Sequence, residues 1–302
     1  MSLPPGRPKE GSLPLGGKAR SAKGAPNNLF TERRVNRVLA RLWVAAFFTF
    51  LLAPLVVVVV VSFGETARGG LAFPPKSFTL HWYTTIGREY LTALFASIAV
   101  AAGSVVVCVV LGVPAGLGLV RTRWRGKAAL AAAFRAPVQI PAVVTGVAFL
   151  QFYYLLGDAV GWYGAGTWTG LLVAHVFIGL PYVIGSVVAV VQRFNVRFEE
   201  AALILGASPW SVLRRVTLPV IAPGVYSGAT YAFLVSFSDL PVALFLSSAD
   251  VRTFPVLLFQ AMDYDFDPTL LAVATIIIAA SFVAMLLFQK WVGINALLRS
   301  GQ

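Results

Sequence analysis

The sequence predicts an all-α fold: a polytopic membrane protein with six transmembrane helices and a helical loop on the cytoplasmic side. Three observations carry that prediction. Of 302 residues, 58% are hydrophobic and only 12% charged, more apolar surface than a water-soluble domain of this length can hide. Six uncharged stretches are long enough to cross a hydrocarbon layer about 30 Å thick, which takes roughly 20 helical residues each. The basic residues fall almost entirely on alternate connections. A β-barrel is disfavoured, because its strands alternate apolar and polar residues and are about half as long.

Taken in order, residues 1–41 are rich in Gly, Pro, Ser and basic residues and show no apolar period, the composition of a disordered tail. The first span, Leu42–Phe63, follows a basic flank and is too long for a signal-peptide core. No small-residue cleavage site follows it, so it reads as an uncleaved anchor. Loop 64–90 carries Phe73-Pro74-Pro75 and then the aromatic segment Phe78 to Tyr83, which suits a short helix lying at the outer membrane interface. The remaining spans are Leu91–Leu119, Ala136–Leu156, Trp168–Val191, Val220–Ser238 and Thr269–Phe288. None of the six contains Lys, Arg, Asp or Glu, and a charge at the centre of a span costs about 2.5–3.5 kcal/mol on insertion. The six-helix domain therefore runs over 42–290, with a short end at 291–302.

Charge sets the orientation. The tail carries nine Lys/Arg, loop 120–135 five, loop 192–219 four and the C-terminal end two, whereas loops 64–90, 157–167 and 239–268 together hold four. Positive loops stay inside, which places both termini and loop 192–219 in the cytoplasm. The net charge of +12 thus reports topology rather than nucleic-acid binding, and basic flanks of this kind attract anionic membrane lipid. Cys108 is the only cysteine and lies within a span. That excludes a disulfide framework and a cysteine metal site.

The spans are punctuated. Pro54, Pro114, Pro141, Pro181 and Pro241 lie within or just past them, and Gly112-x-x-x-Gly116 and Gly224-x-x-x-Gly228 offer faces where helix backbones approach closely. Packing is the default use of such features; hinges in a moving transporter are the sharper alternative.

Loop 192–219 holds the most specific pattern in the chain. Glu199 to Leu205 has a helix-favouring composition, with its acidic residues early, where the helix dipole prefers negative charge. Gly206 ends that helix. Ser208 is an N-cap and Pro209 a first helical residue, so a second helix should run from Pro209 to about Val216 and stop at Pro219. Leu203, Ile204 and Trp210 would then face the cytosol unless something covers them, either the membrane surface or a partner.

The spacing decides between these. Glu200-Ala201-Ala202, three residues, Gly206, nine residues, Val216, one residue and Leu218-Pro219 resembles the signature loop of permease subunits in bacterial ATP-binding-cassette (ABC) importers. Val216 stands where that family usually has Ile. The resemblance continues in Pro137-Val138-Gln139-Ile140-Pro141, Leu180-Pro181-Tyr182, Ser236-Phe237-Ser238-Asp239, Phe254-Pro255-Val256 and Asp267-Pro268, which look like the spermidine/putrescine type of permease over about residues 40–290. It implies a subunit of the bacterial inner membrane, paired with a second, sister permease. An ABC ATPase dimer would sit below and a periplasmic substrate-binding protein above. Glu199, Glu200, Ala201, Ala202, Gly206, Leu218 and Pro219 would belong to the coupling loop that docks in a groove of the ATPase. A polyamine or similar organic cation is the implied cargo; permeases for iron, sulfate, thiamine or phosphonate share much of the pattern.

No complete phosphate-binding loop is present: in Gly11 to Lys18, Ser12 stands where the motif needs glycine and Ala19 where it needs Ser or Thr. The chain is therefore expected not to be an enzyme and to need no cofactor of its own, ATP being bound by the partner. Candidates for the substrate path are His175, Tyr231, Ser236 and Asp239. His175 would line the path or sense protons, or else hydrogen-bond across a helix interface. Asp239 would attract an amine or cap a helix. Tyr153, Tyr231, Phe233 and Phe237 would meet an organic cation through their ring faces or simply pack. The acidic loop 239–268 would steer a cation or dock a binding protein, or only be solvated. Its Asp263-Tyr264-Asp265-Phe266-Asp267 run lacks the glycine and terminal Glu of a calcium loop, so no metal is expected. An ion-coupled carrier is the competing class, but carriers place several titratable groups near the midplane, and here only His175 qualifies.

Overall fold

The computed structural model describes residues 28–65, 73–123, 125–264 and 268–300, and the regular elements among them are helical. The first 27 residues of the expected tail and Asp265 to Asp267 of the acidic run lie outside them. Helix α1, Asn28–Ser62, starts well before the expected Leu42. Residues 28–41 contain four Arg and neither Gly nor Pro, and prolonging an existing helix avoids a second nucleation cost. The stretch up to Val56 forms a unit of its own. Along it Trp43, Phe47 and Phe50 are exposed, as in a span surrounded by lipid.

The second unit begins at Val57. There the end of α1 is tied to the short helix α2, His81–Thr84, within the aromatic segment where a short helix was expected. The Ser62 hydroxyl lies 2.7 Å from Tyr83 Oη, Phe63 stacks on Tyr83, and Trp82 Nε1 donates to Gly64 O at 2.9 Å.

Three long helices make the centre of this unit: α3, Arg88–Arg121, α6, Trp168–Val191, and α9, Leu218–Phe237. Helix α6 lies between the other two, and both glycine pairs pack on it. A Cβ added to Gly112 or Gly116 of α3 would lie 2.8 or 2.7 Å from Val183 or Val187 of α6. On α9, a Cβ at Gly224 would approach Ser186 O to 2.9 Å, and one at Gly228 would approach Val183 Cα to 2.7 Å. In lipid no water is released when apolar faces meet, so this close approach is itself the main attraction between the helices. Cys108, Val183, Val187, Ile221 and Ala232 fill the seam.

The third expected span, Ala136–Leu156, needs correction. Helix α4, Lys127–Gln139, ends before Pro141, and α5 runs over Ala142–Val160. Ile140 is extended at φ −83°, ψ 132°, because the ring of a following proline crowds the helical conformation. Two short helices follow α6, α7 over Arg197–Ile204 and α8 over Pro209–Val212. The expected stop at Pro219 does not occur. A wide π turn, Leu213–Thr217, runs straight into α9, and Leu218 N–H bonds Leu213 O. That i→i−5 bond widens the turn just before Pro219, which has no N–H to donate.

Segment 239–268, read from the sequence as an outer loop, is instead folded into the bundle. Helix α10, Pro241–Leu246, and helix α11, Phe254–Tyr264, bury Val242, Ala243, Leu246, Phe254 and Val256. Helix α12, Thr269–Ser300, closes the chain and carries the sixth expected span well into the end assigned to 291–302. Among the described residues five helices are long and apolar enough to cross a membrane. In α12 the apolar part within the described residues is the shorter Thr269–Val283.

Candidate functional site

The α7–α8 loop is built by local signals. Glu199 and Glu200 occupy the first turn of α7, where they complement the helix dipole. At its other end Gly206 adopts φ +86°. The Gly206 N–H bonds Leu203 O and the Ala207 N–H bonds Ala202 O, both at 3.0 Å, the paired closure that a left-handed residue makes possible. Ser208 Oγ then accepts from Ser211 N at 3.3 Å, capping α8 above Pro209.

This loop leaves its apolar side chains uncovered by the chain. Ile204 is 86% exposed, Leu205 87% and Trp210 69%. Glu200, Ala201 and Gly206 are exposed too, and a Cβ built on Gly206 meets nothing within 4 Å. Among the described residues Gly206 is therefore required for its backbone angle alone, and the space above it is open. A patch of this kind is expensive to leave in water and marks a contact surface.

Glu199 faces the other way. Its carboxylate accepts from the Arg121 guanidinium at the end of α3 and from the Thr217 hydroxyl in the π turn, and little of its side chain is exposed. It braces the loop against two of the three central helices. Leu218 is half-buried and Pro219 exposed in the first turn of α9. The sequence named Glu199 with the other loop residues but gave no sign of Arg121 or Thr217, whose pairing depends on the fold.

The proposed path residues are dispersed. His175 is fully buried between α3, α6 and α9, with Nδ1 2.7 Å from Ser236 Oγ. Ser236 Oγ lies 3.3 Å from Ser104 Oγ, which is 2.9 Å from Ala101 O. His175 and Ser236 are thus brought together, but as a polar tie across the helix seam. His175 Nε2 has no partner among the described residues. Tyr231 stands on an open face, 55% exposed and stacked on Tyr182 with ring centroids 6.4 Å apart. Phe233 and Phe237 stack on each other, while Tyr153 is buried and donates to Gly170 O at 2.6 Å. Asp239 is buried, and its carboxylate accepts from Ala243 N at 2.9 Å, capping α10. Burial pushes its carboxyl up to about 6, against the opposing pull of the Ala243 and Val242 N–H groups. At the same end of the bundle a cavity of about 570 Å³ is lined by Glu89, Phe95, Trp168, Asp250 and Arg252.

Residues 108–293 match the family model of the binding-protein-dependent transport system inner membrane component. The chain belongs to that family. It is 32% identical to the putrescine transport system permease protein PotI of Escherichia coli K12, over 81% of this chain and 86% of that protein. It is 28% identical to the spermidine/putrescine transport system permease protein PotC of the same strain, over 84% and 94%. Its fold matches that of a bacterial ABC transporter involved in import of the acidic polysaccharide alginate, with TM-score 0.67, 14% identity and 87% and 97% of the two chains covered. This permease is accordingly a multi-pass inner-membrane subunit of an ABC importer, of the spermidine/putrescine type. The α7–α8 loop and the buried His175 tie both lie within the matched residues.

Proposed function

We propose that this permease moves a small organic cation of the polyamine class inward, driven by ATP hydrolysed on a separate ABC ATPase dimer that docks on the α7–α8 loop. The exposed apolar patch of Ile204, Leu205 and Trp210 beside Gly206 is the observation that carries this reading. A sister permease completes the pathway, and a periplasmic binding protein delivers the cargo at the end holding Glu89 and Asp250. Both termini and the loop face the cytoplasm, as the distribution of basic residues indicates. ATP binds only the partner.

Work enters through the loop. Closure of the ATPases displaces α7, and the Glu199 carboxylate passes that displacement to Arg121 of α3 and to Thr217 ahead of α9. Because α3, α6 and α9 are locked by glycine seams, they swing as one body, and hydrolysis resets them. The likeness to PotI and PotC and the outer carboxylates favour a cationic cargo. An ion-coupled carrier gains little support, since the one midplane histidine is bonded to Ser236.

The complex reconstituted in vesicles with its ATPase and binding protein should take up labelled putrescine only with ATP on the ATPase side. Uptake by this chain alone, following a proton gradient, would overturn the proposal. Equal uptake of an uncharged solute would overturn the cargo class.

A further inference from the structure

We propose that a cavity between α3, α4 and α6 is a binding site for a phosphate-bearing anion, occupied in the membrane by the headgroup of an anionic phospholipid. The cavity measures about 220 Å³ and lies at the end of the bundle that carries the α7–α8 loop. Its polar side is cationic. Lys127 and Arg135 come from α4 and Gln192 from the end of α6, and among the described residues no carboxylate lines it. Lys127 Nζ donates to Val120 O at 3.2 Å, which fixes the ammonium at the rim and leaves its other two protons free. The Arg135 and Gln192 side chains make no hydrogen bond or ion pair among the described residues, so their donors are uncommitted.

The cavity also has an apolar lining, with Phe134, Ile184 and Val188. A Cβ added to Gly185 would meet nothing within 4 Å, so the floor is open there. The volume equals the room of about seven waters at roughly 30 Å³ each. That suits a phosphoglycerol group and the start of its acyl chains, not a whole lipid. Free phosphate would satisfy the cations but has no use for the apolar wall, and this favours lipid. Such a lipid would bridge α4 to α6 beside the coupling loop. Only the leaflet that supplies it depends on the orientation proposed above.

The test uses the purified transporter complex in nanodiscs of phosphatidylcholine doped with phosphatidylglycerol, with retained lipid counted by native mass spectrometry after detergent extraction. Phosphatidylglycerol should be retained over phosphatidylcholine, and excess inorganic phosphate should not displace it. The Lys127→Gln/Arg135→Gln double variant should weaken retention roughly thirty-fold, as expected for two basic contacts. Arg125→Gln, a neighbouring cation that does not line the cavity, should leave retention unchanged. Equal retention of both lipids, no loss in the double variant, or the same loss in Arg125→Gln would overturn the site. Displacement by inorganic phosphate would overturn the lipid as its occupant. Capture of the partner ATPase by the same preparation reads the coupling loop separately: lipid preference without capture sinks that loop's role, and capture without lipid preference sinks only the cavity.

Discussion

The α3–α6–α9 seam and the α7–α8 loop solve opposite problems with similar residues. In the seam, glycines are needed because a neighbour stands where a side chain would be, as Val183 does beside Gly112 and Gly228. In the loop, Gly206 is needed for its left-handed backbone and has empty space around it. The seam pairs most of its polar groups, His175 to Ser236 and Ser236 to Ser104, whereas the loop leaves Leu205 almost wholly exposed. One region packs against its neighbours among the described residues, and the other leaves its apolar side chains uncovered by them. Changes to the seam should therefore appear as lost stability, and changes to the loop as lost transport.

The largest effect should come from Gly228→Leu. Its Cβ would press on the Val183 backbone, which cannot rotate away as a side-chain methyl can. Overpacking of this kind costs about 1–3 kcal/mol or more, so melting in detergent should fall along with uptake. A wild-type melting curve would break the seam half of the comparison.

Gly206→Asp should do the reverse. Aspartate tolerates the left-handed region better than most residues, so the fold should lose only about 1 kcal/mol. The new carboxylate stands where the ATPase would arrive, and ATPase capture and uptake should both collapse. Capture at wild-type yield would remove the docking role from the loop.

Asp239 sharpens the contrast through pH. Its carboxyl is raised by burial to about 6, so ionising it opposes folding. Stability is whole at low pH, where folded and unfolded chains both hold the proton. It declines as pH climbs through the folded value, settling roughly 2–3 kcal/mol lower. Relative to Asp239→Asn, wild-type melting temperature should fall between about pH 4 and pH 7. A flat difference would mean that Asp239 is not buried in the membrane-bound protein.

The smallest effect belongs to the brace. Arg121→Gln removes a charge from a partly exposed pair, worth about 1 kcal/mol after screening. ATPase capture should survive, but transport per ATP hydrolysed should drop. An unchanged ratio would mean that force reaches α3 by another route.

Where an element depended on local chemistry, the sequence was readable. The bounds Trp168–Val191 were foreseen because the stretch is long and uncharged, and the structure adds a Thr167 cap at its start. The Ser208 cap and the Gly206 closure were foreseen from their residue types. Elements fixed by long-range packing were missed. Pro241 to Leu246 and Phe254 to Tyr264 are too short to read as spans, and only their burial against α5, α6 and α3 makes them part of the core. The partners of Glu199 and His175 lie on other helices, beyond the reach of any spacing rule. Asp239 was singled out for its charge, and whether that charge would cap a helix or meet a ligand depended on α10. Pro219 misled for a subtler reason: a proline ends a helix only if the turn before it cannot open.

That opened turn also sets an angle. The stretch Leu213–Thr217 spends one residue more than an ordinary helical turn does, and each residue of an α-helix advances the face by about 100°. Deleting a single residue there would leave both ends chemically intact yet rephase them. Trp210 would no longer point where it does when Gly224 and Gly228 meet α6. The direction in which the loop presents Trp210 is thus indexed by one surplus amino acid.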